Sequence, residues 1–455
     1  MVSKRIDLSD KRPALLAWLQ GKMPQAWNLT ISNLERSGGG FSNETFFFNA
    51  TWEEGEQKRS ERMVLRCPPT GFPVFPDYDL SKQFRIMKTL GSTDVPVPKM
   101  YWMEQRKDVL GVPFYVMGFT DGVVPPEYPP YHSFGLLYDA TPEQREKIWW
   151  GGVEAMAKIH KLDWESMGLY FLGPTVRGTN AVDRELDYYE HFLNWAREGE
   201  PQPILEAALK WLRENKVAPK NVGLCWGDCR LPNLILGSDR DVAAVVDWEM
   251  ASLADPESDL AWFLFMDWQH CDGYGIPRLQ GFPDREETIK RYEELTGRKV
   301  ENLFYYEVLA AFKFGVILLK VFKNFKQMGV ALPAEDAELN NVCTQRLASL
   351  LNLEPPGERK KRETTRIEDI TVTAQFHLTG PGGGDWYVLC DKGKATRHEG
   401  TAENPNVTMA ASAQDWAAIQ RGEMDRITAW TSGKLKIDGD MALLLQLEDV
   451  IAKLR

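Results

Sequence analysis

Two short segments decide the fold: residues 225–233 read CWGDCRLPN, and residues 245–249 read VVDWE. The first segment places Asp228 and Asn233 five residues apart on a loop that follows an apolar run. A second apolar run precedes Asp247 and predicts a buried strand that ends in the same cavity. Transfer of a phosphoryl group needs a carboxylate beside the attacking hydroxyl and oxygen ligands for Mg²⁺ more than it needs covalent chemistry. The two segments together therefore predict a phosphoryl-transfer site.

Four polar residues of these segments have predicted roles. Asp228 would orient and deprotonate the acceptor hydroxyl, while Asn233 and Asp247 would hold Mg²⁺. Arg230 lies two residues beyond Asp228, and two roles are open for it: stabilising the transferring phosphoryl group, or acting as a plain surface charge. The competing interpretation of the whole pattern is two buried strand ends capped by aspartates, because short motifs also arise by chance.

The motif resembles that of aminoglycoside phosphotransferases and choline kinases, which are distant relatives of protein kinases. Members of that family usually have H-G-D-x-x-x-x-N, whereas Trp226 stands at the histidine position here. In protein kinases this histidine is mainly structural, so we expect the change to alter packing and not to abolish transfer. The resemblance implies an α+β protein with a bilobal protein-kinase-like fold, in which an antiparallel sheet forms the N-lobe and helices form most of the C-lobe. It also implies the use of ATP and Mg²⁺.

A glycine-rich turn lies near the N-terminus, where residues 39–45 read GGFSNET. Glycines let main-chain N–H groups approach a phosphate without a Cβ clash, and a serine adds a hydroxyl donor. Taken alone, the segment predicts only a hairpin turn. The same family has a similar turn between its first two strands, which covers the nucleotide phosphates. The resemblance therefore implies that Gly39, Gly40, Ser42 and Asn43 bind phosphate.

Further N-lobe residues follow from the resemblance. The strand predicted at residues 62–66 ends in Arg66, which takes the place of the lysine that holds the α- and β-phosphates. The next helix commonly supplies a glutamate to pair with that residue, and Gln83 stands at this position. Residues from Met117 to Phe119 have the place of the hinge between the lobes, where adenine would bind main-chain groups.

Residues outside the loop at positions 225–233 are predicted to have structural roles. Residues 254–261, ADPESDLA, resemble the family's helix start, in which Asp255 caps the helix and Asp259 braces the catalytic loop. His160 resembles the family's histidine at a helix end, and we expect a packed, hydrogen-bonded side chain there.

Composition narrows the class of protein. A chain of 455 residues predicts two to three domains, and a net charge of −11 argues against a nucleic-acid surface, which needs a basic face. The six cysteines show no C-x-x-C pair, so reduced and mostly buried thiols are expected. No apolar run has the length of a membrane span or the form of a signal peptide. We therefore expect a cytoplasmic protein without a membrane span.

The pattern of apolar and polar residues changes after residue 366. Residues 370–378 alternate between apolar and polar side chains and lead through a glycine-rich turn into a second strand, which predicts a hairpin. The close of the chain, where residues 432–440 read SGKLKIDGD before a final apolar helix, resembles sterol-carrier-protein domains. That resemblance implies an apolar ligand of fatty acyl or sterol type. The alternative is a small α+β domain used for packing or for homodimerisation.

Four segments are predicted in all. They are an N-lobe with the phosphate turn and hinge (1–119), a C-lobe with the catalytic loop and metal site (120–352), a linker (353–366) and a sterol-carrier-like lipid-binding domain (367–455).

The resemblance also indicates which kind of molecule accepts the phosphoryl group. The motifs are closest to a branch found beside acyl-CoA dehydrogenases, some members of which phosphorylate hydroxyacyl-CoA. We therefore expect the phosphorylation of a lipophilic small molecule, with a hydroxyacyl-CoA or a sterol- or phenol-type alcohol as the best candidates. An aminoglycoside or a small amine or alcohol is the alternative acceptor, because a negatively charged domain attracts cations. A degenerate kinase that only carries lipid is the alternative from another class, since Trp226, Arg66 and Gln83 depart from the family pattern.

Overall fold

The structure is a computed structural model that describes residues 6, 8, 10–36, 43–127, 130–133, 135–173, 180–219, 221–329, 332–357, 371–391, 394–420, 429 and 434–439. The chain divides into two compact units, one made of residues 1–34 and 41–361 and the other of residues 35–40 and 362–455. Each unit contains its own cluster of buried apolar side chains.

An antiparallel sheet dominates the first 119 residues. Its strands pair in the order β1-β3-β4-β6-β5. Alternate residues of a strand face opposite sides of a sheet, so Leu65 and Val116 pack towards α1 while Val64 and Met117 join the core that continues into the helical part. The elements are α1 (Arg12–Lys22), β1 (Trp27–Ile31), β2 (Glu35–Arg36), β3 (Glu44–Glu54), β4 (Gln57–Cys67), α2 (Leu80–Leu90), β5 (Met100–Glu104) and β6 (Phe114–Gly118).

The rest of the first unit is mainly helical. Two short antiparallel strand pairs, β7 with β10 and β8 with β9, carry the segments that were predicted to be catalytic. The elements are α3 (Leu136–Asp139), α4 (Pro142–His160), α5 (Ala181–Arg197), α6 (Pro203–Glu214), β7 (Gly223–Cys225), β8 (Leu234–Leu236), β9 (Val242–Val245), β10 (Ser252–Ala254), α7 (Glu257–His270), α8 (Arg285–Thr296), α9 (Leu303–Gln327) and α10 (Val342–Leu351).

Local sequence signals account for where several helices begin. The Thr141 side chain accepts a hydrogen bond from the main-chain N–H of Gln144, whose own side chain accepts from the Thr141 N–H. This reciprocal pair satisfies donors that a helix start otherwise leaves without partners. The capping predicted for α4 is therefore confirmed.

Helix α9 is apolar on most sides and lies in the centre of the helical part. Its three buried lysines are each paired with a glutamate: Lys313 with Glu185 at 2.6 Å, Lys320 with Glu198 at 3.1 Å and Lys323 with Glu338 at 3.4 Å. Burial of a lysine is tolerated when its charge is paired in this way. No helix in the described part of the chain is long and apolar enough to cross a membrane. All six cysteines are buried free thiols, as predicted.

The second unit is a five-stranded mixed sheet with a helix. Its strand order is β13-β12-β11-β14-β15, and only the β11–β14 pair among them is parallel. Phe376 and Trp386 stack across the predicted hairpin with ring centroids 3.8 Å apart, and Trp416 packs edge-on against Phe376. The predicted final helix lies outside the described residues. The elements are β11 (Thr371–Thr379), β12 (Gly384–Asp391), β13 (Lys394–Glu399), β14 (Val407–Ser412), α11 (Ala413–Gln420) and β15 (Leu435–Gly439).

A buried carboxylate links α7 to the two segments packed against it. Asp267 accepts hydrogen bonds from the Tyr131 hydroxyl at 2.8 Å and from Arg278 Nε at 2.8 Å, and its Oδ1 lies 2.9 Å from His132 Nε2. Burial alone would raise the pKa of Asp267, but the hydrogen bonds and charges of His132 and Arg278 outweigh it and lower the pKa to about 2. The ionised carboxylate therefore stabilises this part of the fold.

We expect replacement of Asp267 by Asn to remove a pH-dependent part of the stability. Because the pKa in the folded protein lies below the ordinary value, the stabilisation is present above the ordinary carboxyl pKa and is lost as pH falls towards about 2. It amounts to about 2 kcal/mol. Urea unfolding between pH 5 and pH 3 should show a flatter pH dependence for Asp267→Asn than for the wild type. The exposed Asp239→Asn is the control, and equal slopes for all three proteins would contradict the assignment.

Candidate active site

The catalytic loop holds the Asp228 carboxylate between three side chains. Asn233 Nδ2 donates to Asp228 Oδ2 at 2.7 Å, Arg230 Nε donates to the same oxygen at 3.0 Å, and Trp262 Nε1 donates to Oδ1 at 3.0 Å. The carboxylate is 7% exposed. Burial raises the pKa of Asp228 above its ordinary value, although Arg230 and the Asn233 hydrogen bond oppose the shift. A carboxylate with a fixed orientation and a raised pKa is suited to accept a proton.

Arg230 is not a plain surface charge. Its side chain is 13% exposed and forms ion pairs with both Asp228 and Glu127. Burial alone would raise the pKa of Glu127, but the charge and hydrogen bond of Arg230 lower it. The surface interpretation of Arg230 is therefore wrong, and its contact with a phosphoryl group stays a prediction. Glu127 was not predicted from the sequence.

Asp259 braces the loop as predicted. Its carboxylate accepts the main-chain N–H groups of Trp226 at 2.6 Å and of Gly227 at 2.9 Å. His160 is packed and hydrogen-bonded, since its Nε2 lies 3.0 Å from the same carboxylate. Gly227 has a φ of +87°, and a Cβ there would lie 2.2 Å from the Met250 carbonyl oxygen. The glycine of the motif is thus required by the path of the backbone.

Trp226 occupies the place of the family histidine and joins the two predicted segments. Its indole Nε1 donates to the carbonyl oxygens of Val246 at 2.9 Å and of Asp247 at 3.2 Å. The side chain is fully buried and packs against Trp248. Trp226 therefore directs a hydrogen-bond donor at the strand end that carries Asp247.

We expect Trp226→Phe to destabilise the protein by about 1–3 kcal/mol, because the carbonyl groups of Val246 and Asp247 lose the donor that the buried indole supplies. The segment that carries Asp247 should also loosen and weaken the binding of MgATP. Calorimetric titration at a temperature where the variants are folded measures the second effect. Trp149→Phe is the matched control, since Trp149 is equally buried and donates to Thr288 away from the site. MgATP binding equal to that of the wild type would contradict this role for Trp226.

The β8–β9 pair brings Asp247 into the same site. Leu234, directly after Asn233, pairs with Val245, and the Val246 N–H donates to the Asn233 carbonyl oxygen at 3.0 Å. Asp247 itself has a φ of +64°, in the left-handed region that Asp and Asn tolerate better than most residues. The loop and the strand end therefore meet as the sequence predicted.

Arg66 reaches Asp247 and not the following helix. Its guanidinium lies 3.8 Å from Asp247 Oδ2, while Gln83 is buried and accepts a long hydrogen bond of 3.4 Å from Tyr115. Arg66 Nε and Asp247 Oδ1 are buried and have no hydrogen-bond partner among the described residues. Orphaned buried polar atoms of this kind point to a missing ligand.

Asn43 connects the predicted phosphate turn to the same strand end. Its Nδ2 donates to Glu249 Oε2 at 2.9 Å, and its buried Oδ1 has no hydrogen-bond partner among the described residues. Gly39, Gly40 and Ser42 lie outside the described residues, so their contact with phosphate stays a prediction.

The hinge differs in one detail from the prediction. The N–H groups of Gly118 and Phe119 donate within the protein, to the carbonyl oxygens of Lys99 at 2.8 Å and Arg62 at 3.0 Å. Phe119 packs edge-on against Phe47, with the Arg62 guanidinium above its ring. An adenine at the hinge would therefore find the N–H groups of Gly118 and Phe119 already engaged, and its contact with Met117 to Phe119 stays a prediction.

An antiparallel sheet joined to a helical part, with a carboxylate and an asparagine on one loop and an aspartate after the next strand, is the arrangement of kinase-like phosphotransferases. Residues 33–295 match the model of the phosphotransferase enzyme family, and the chain belongs to that family. Residues 355–452 match the SCP-2 sterol transfer family. Both resemblances inferred from the sequence are confirmed.

Known proteins of similar sequence include "Probable acyl-CoA dehydrogenase IBR3" from Arabidopsis thaliana, 28% identical over 334 residues that cover 68% of this chain and 38% of that protein. "Acyl-CoA dehydrogenase family member 10" from Mus musculus is 26% identical over 300 residues, which cover 62% of this chain and 26% of that protein. The chain therefore spans well under half the length of these relatives.

A solved structure supports the fold. The crystal structure of a proposed aminoglycoside phosphotransferase from Ralstonia eutropha is 25% identical, with a TM-score of 0.55, and covers 74% of this chain and 95% of that one. The predicted kinase-like α+β fold is confirmed.

Proposed function

We propose that the first unit transfers the γ-phosphoryl group of ATP to a hydroxyl of a lipophilic small molecule. The observation that carries the proposal is the 2.7 Å hydrogen bond between Asn233 and Asp228 beside Asp247. This bond joins the proposed base to Asn233, one of the proposed metal ligands, and the β8–β9 pair brings the other proposed ligand, Asp247, close to both.

The residues present fit a magnesium nucleotide. Asn233 and Asp247 supply the oxygen donors that Mg²⁺ prefers. The unpartnered Arg66 Nε is a donor suited to a phosphate oxygen, and the unpartnered Asp247 Oδ1 is an acceptor suited to a cation. When bound, Mg²⁺ neutralises charge on the phosphates. Gly39, Gly40 and Ser42 are proposed to cover the phosphates from the turn that leads into Asn43.

The protein's own residues prepare the acceptor. Asp228 receives the proton of the acceptor hydroxyl, and its raised pKa brings it closer to neutral pH as a base. Trp262 and Asn233 fix the orientation of the carboxylate so that one geometry is presented to the hydroxyl. Arg230, which already contacts Asp228, is proposed to stabilise charge on the transferring group.

The charges around Asp228 favour an acceptor that is not a polycation. Glu127 is paired with Arg230, and Glu185 is paired with Lys313 at 2.6 Å. Glu127 and Glu185 are thus each neutralised by a base, whereas a site for aminoglycosides would be expected to keep such carboxylates free.

The aromatic packing behind Asp228 supports the same choice of acceptor. Trp262, which contacts Asp228, packs against Phe265 and Phe314. The relatives named as acyl-CoA dehydrogenases make a hydroxyacyl-CoA the best candidate, and a sterol- or phenol-type alcohol comes next. The C-terminal module is proposed to hold an apolar ligand, in keeping with its match to the sterol transfer family.

Mass spectrometry of reactions with MgATP tests the proposal. The panel comprises hydroxyacyl-CoAs, sterols, phenols and aminoglycosides, and Asp228→Asn is the inactive control. A phosphoryl mass gain on a hydroxyacyl-CoA or a lipophilic alcohol that is lost in the variant supports it. A phosphoryl mass gain on aminoglycosides alone would contradict the lipophilic acceptor and favour an aminoglycoside in its place. ATP left intact with every acceptor would favour a degenerate kinase that carries lipid.

A further inference from the structure

Helix α2 brings a lysine to the strand end that carries Asp247. Lys82 lies in the first turn of α2, where its main-chain N–H is capped by Asp79 at 3.1 Å. Its Nζ donates to the main-chain carbonyl oxygen of Glu249 at 3.3 Å. Since Glu249 is two residues beyond Asp247, two cations of the N-terminal part meet the same segment: Arg66 from β4 and Lys82 from α2.

Lys82 differs from the buried lysines of α9. Lys313 and Lys320 are each held by a glutamate carboxylate. Lys82 Nζ forms no salt bridge within the part of the chain that the structure describes, and its hydrogen bond goes to a neutral carbonyl group. An ammonium group has three N–H donors. Among the described residues the other two have no acceptor, and they can bind a ligand at the Asp247–Glu249 segment.

The charges in the site explain why a second cation is needed. Asp228, Asp247 and Glu249 place three carboxylates near the position proposed for the nucleotide, and Arg230 is shared between Asp228 and Glu127. The phosphates of a nucleoside triphosphate add further negative charge. Gln83, the next residue of α2, is neutral and buried, so it neither adds an acidic group nor balances the existing ones.

We propose that Lys82 is a second phosphate-binding residue, which contacts the phosphates of the nucleotide from α2 while Arg66 contacts them from β4. The inference rests on the proposed function, since it assumes that a nucleoside triphosphate binds here. In this proposal α2 contributes a positively charged side chain, whereas the corresponding helix of protein kinases contributes a glutamate.

Calorimetric titration of the full chain with MgATP, MgADP and adenosine tests this inference. Lys82→Met should weaken MgATP binding by about 10- to 100-fold, the equivalent of one hydrogen bond to a charged group. It should leave adenosine binding unchanged, because adenosine has no phosphate. Lys88→Met is the matched control, since Lys88 is an exposed lysine of the same helix. Lys82→Gln serves as a second neutral variant if Lys82→Met does not fold.

The outcomes separate the two proposals. A wild-type protein that binds no nucleotide would overturn the proposed function. A wild type that binds MgATP together with a Lys82 variant of equal affinity would overturn only the role of Lys82. The role of Lys82 would also be overturned if the variant binds MgATP and adenosine more weakly to the same extent, because that result would indicate a general disturbance of the fold. Selective weakening of MgATP and MgADP supports the inference.

Discussion

Asp228→Asn is expected to lower the rate of phosphoryl transfer by about 10²- to 10⁴-fold, the usual contribution of a positioned general base. An asparagine keeps the shape of the side chain, but its single oxygen can accept from either Trp262 or Asn233 and not from both, and it cannot take up the acceptor proton. Binding of MgATP should therefore change little. Single-turnover kinetics with the acceptor identified by mass spectrometry measures the rate, and titration measures the binding.

The exposed Asp239→Asn is the control for loss of one negative charge, and it should behave as the wild type. Transfer by Asp228→Asn at the wild-type rate would show that another group accepts the proton. A parallel loss of MgATP binding would instead place Asp228 among the residues that hold the nucleotide.

Asp247→Ala is expected to abolish stabilisation by MgATP. A ligand at 100 times its Kd stabilises the folded state by about 2.7 kcal/mol, which raises the Tm of the wild type in a thermal-shift experiment. The variant loses an oxygen ligand for Mg²⁺ and leaves Arg66 without its partner at 3.8 Å. We expect no rise in Tm with MgATP for the variant.

Adenosine serves as the reference ligand in that experiment, because its binding does not involve Mg²⁺. An equal loss of the adenosine and MgATP effects would indicate that Asp247 maintains the fold and not the metal site. A full MgATP shift in Asp247→Ala would contradict the assignment of Asp247 as a ligand.

Local signals predicted much of the fold. The helix start at Thr141, the strand Trp27–Ile31 and the hairpin β11–β12 were all predicted, because a capping pair, alternation and a glycine-rich turn act over a few residues. Strand β13 was missed since nearly all of its residues are exposed, so it has no apolar alternation to recognise. Helix α10 was not predicted either, although Asn341 caps it with a reciprocal pair.

The candidate site was predictable where its residues lie close in sequence. Asp228, Asn233 and Asp247 belong to two neighbouring segments, and their approach follows from the pairing of β8 with β9. Glu127 and Lys82 come from distant segments, so no spacing rule could place them beside the site. Trp262 carried a usable signal: it lies one helical turn after Asp259, and residues three apart share a helix face.

Helix α7 has a consequence for how this protein can evolve. Through Asp259 and Trp262 one helix holds two amides of the catalytic loop and its carboxylate. A change in either segment is therefore tolerated only if the other accommodates it, and we expect the two to change together as a single block. New acceptor preferences would have to arise in residues that adjoin this block without supporting it. Glu127, on the segment after the hinge, contacts this block at the Arg230 side chain, so a change at Glu127 also has to accommodate Arg230.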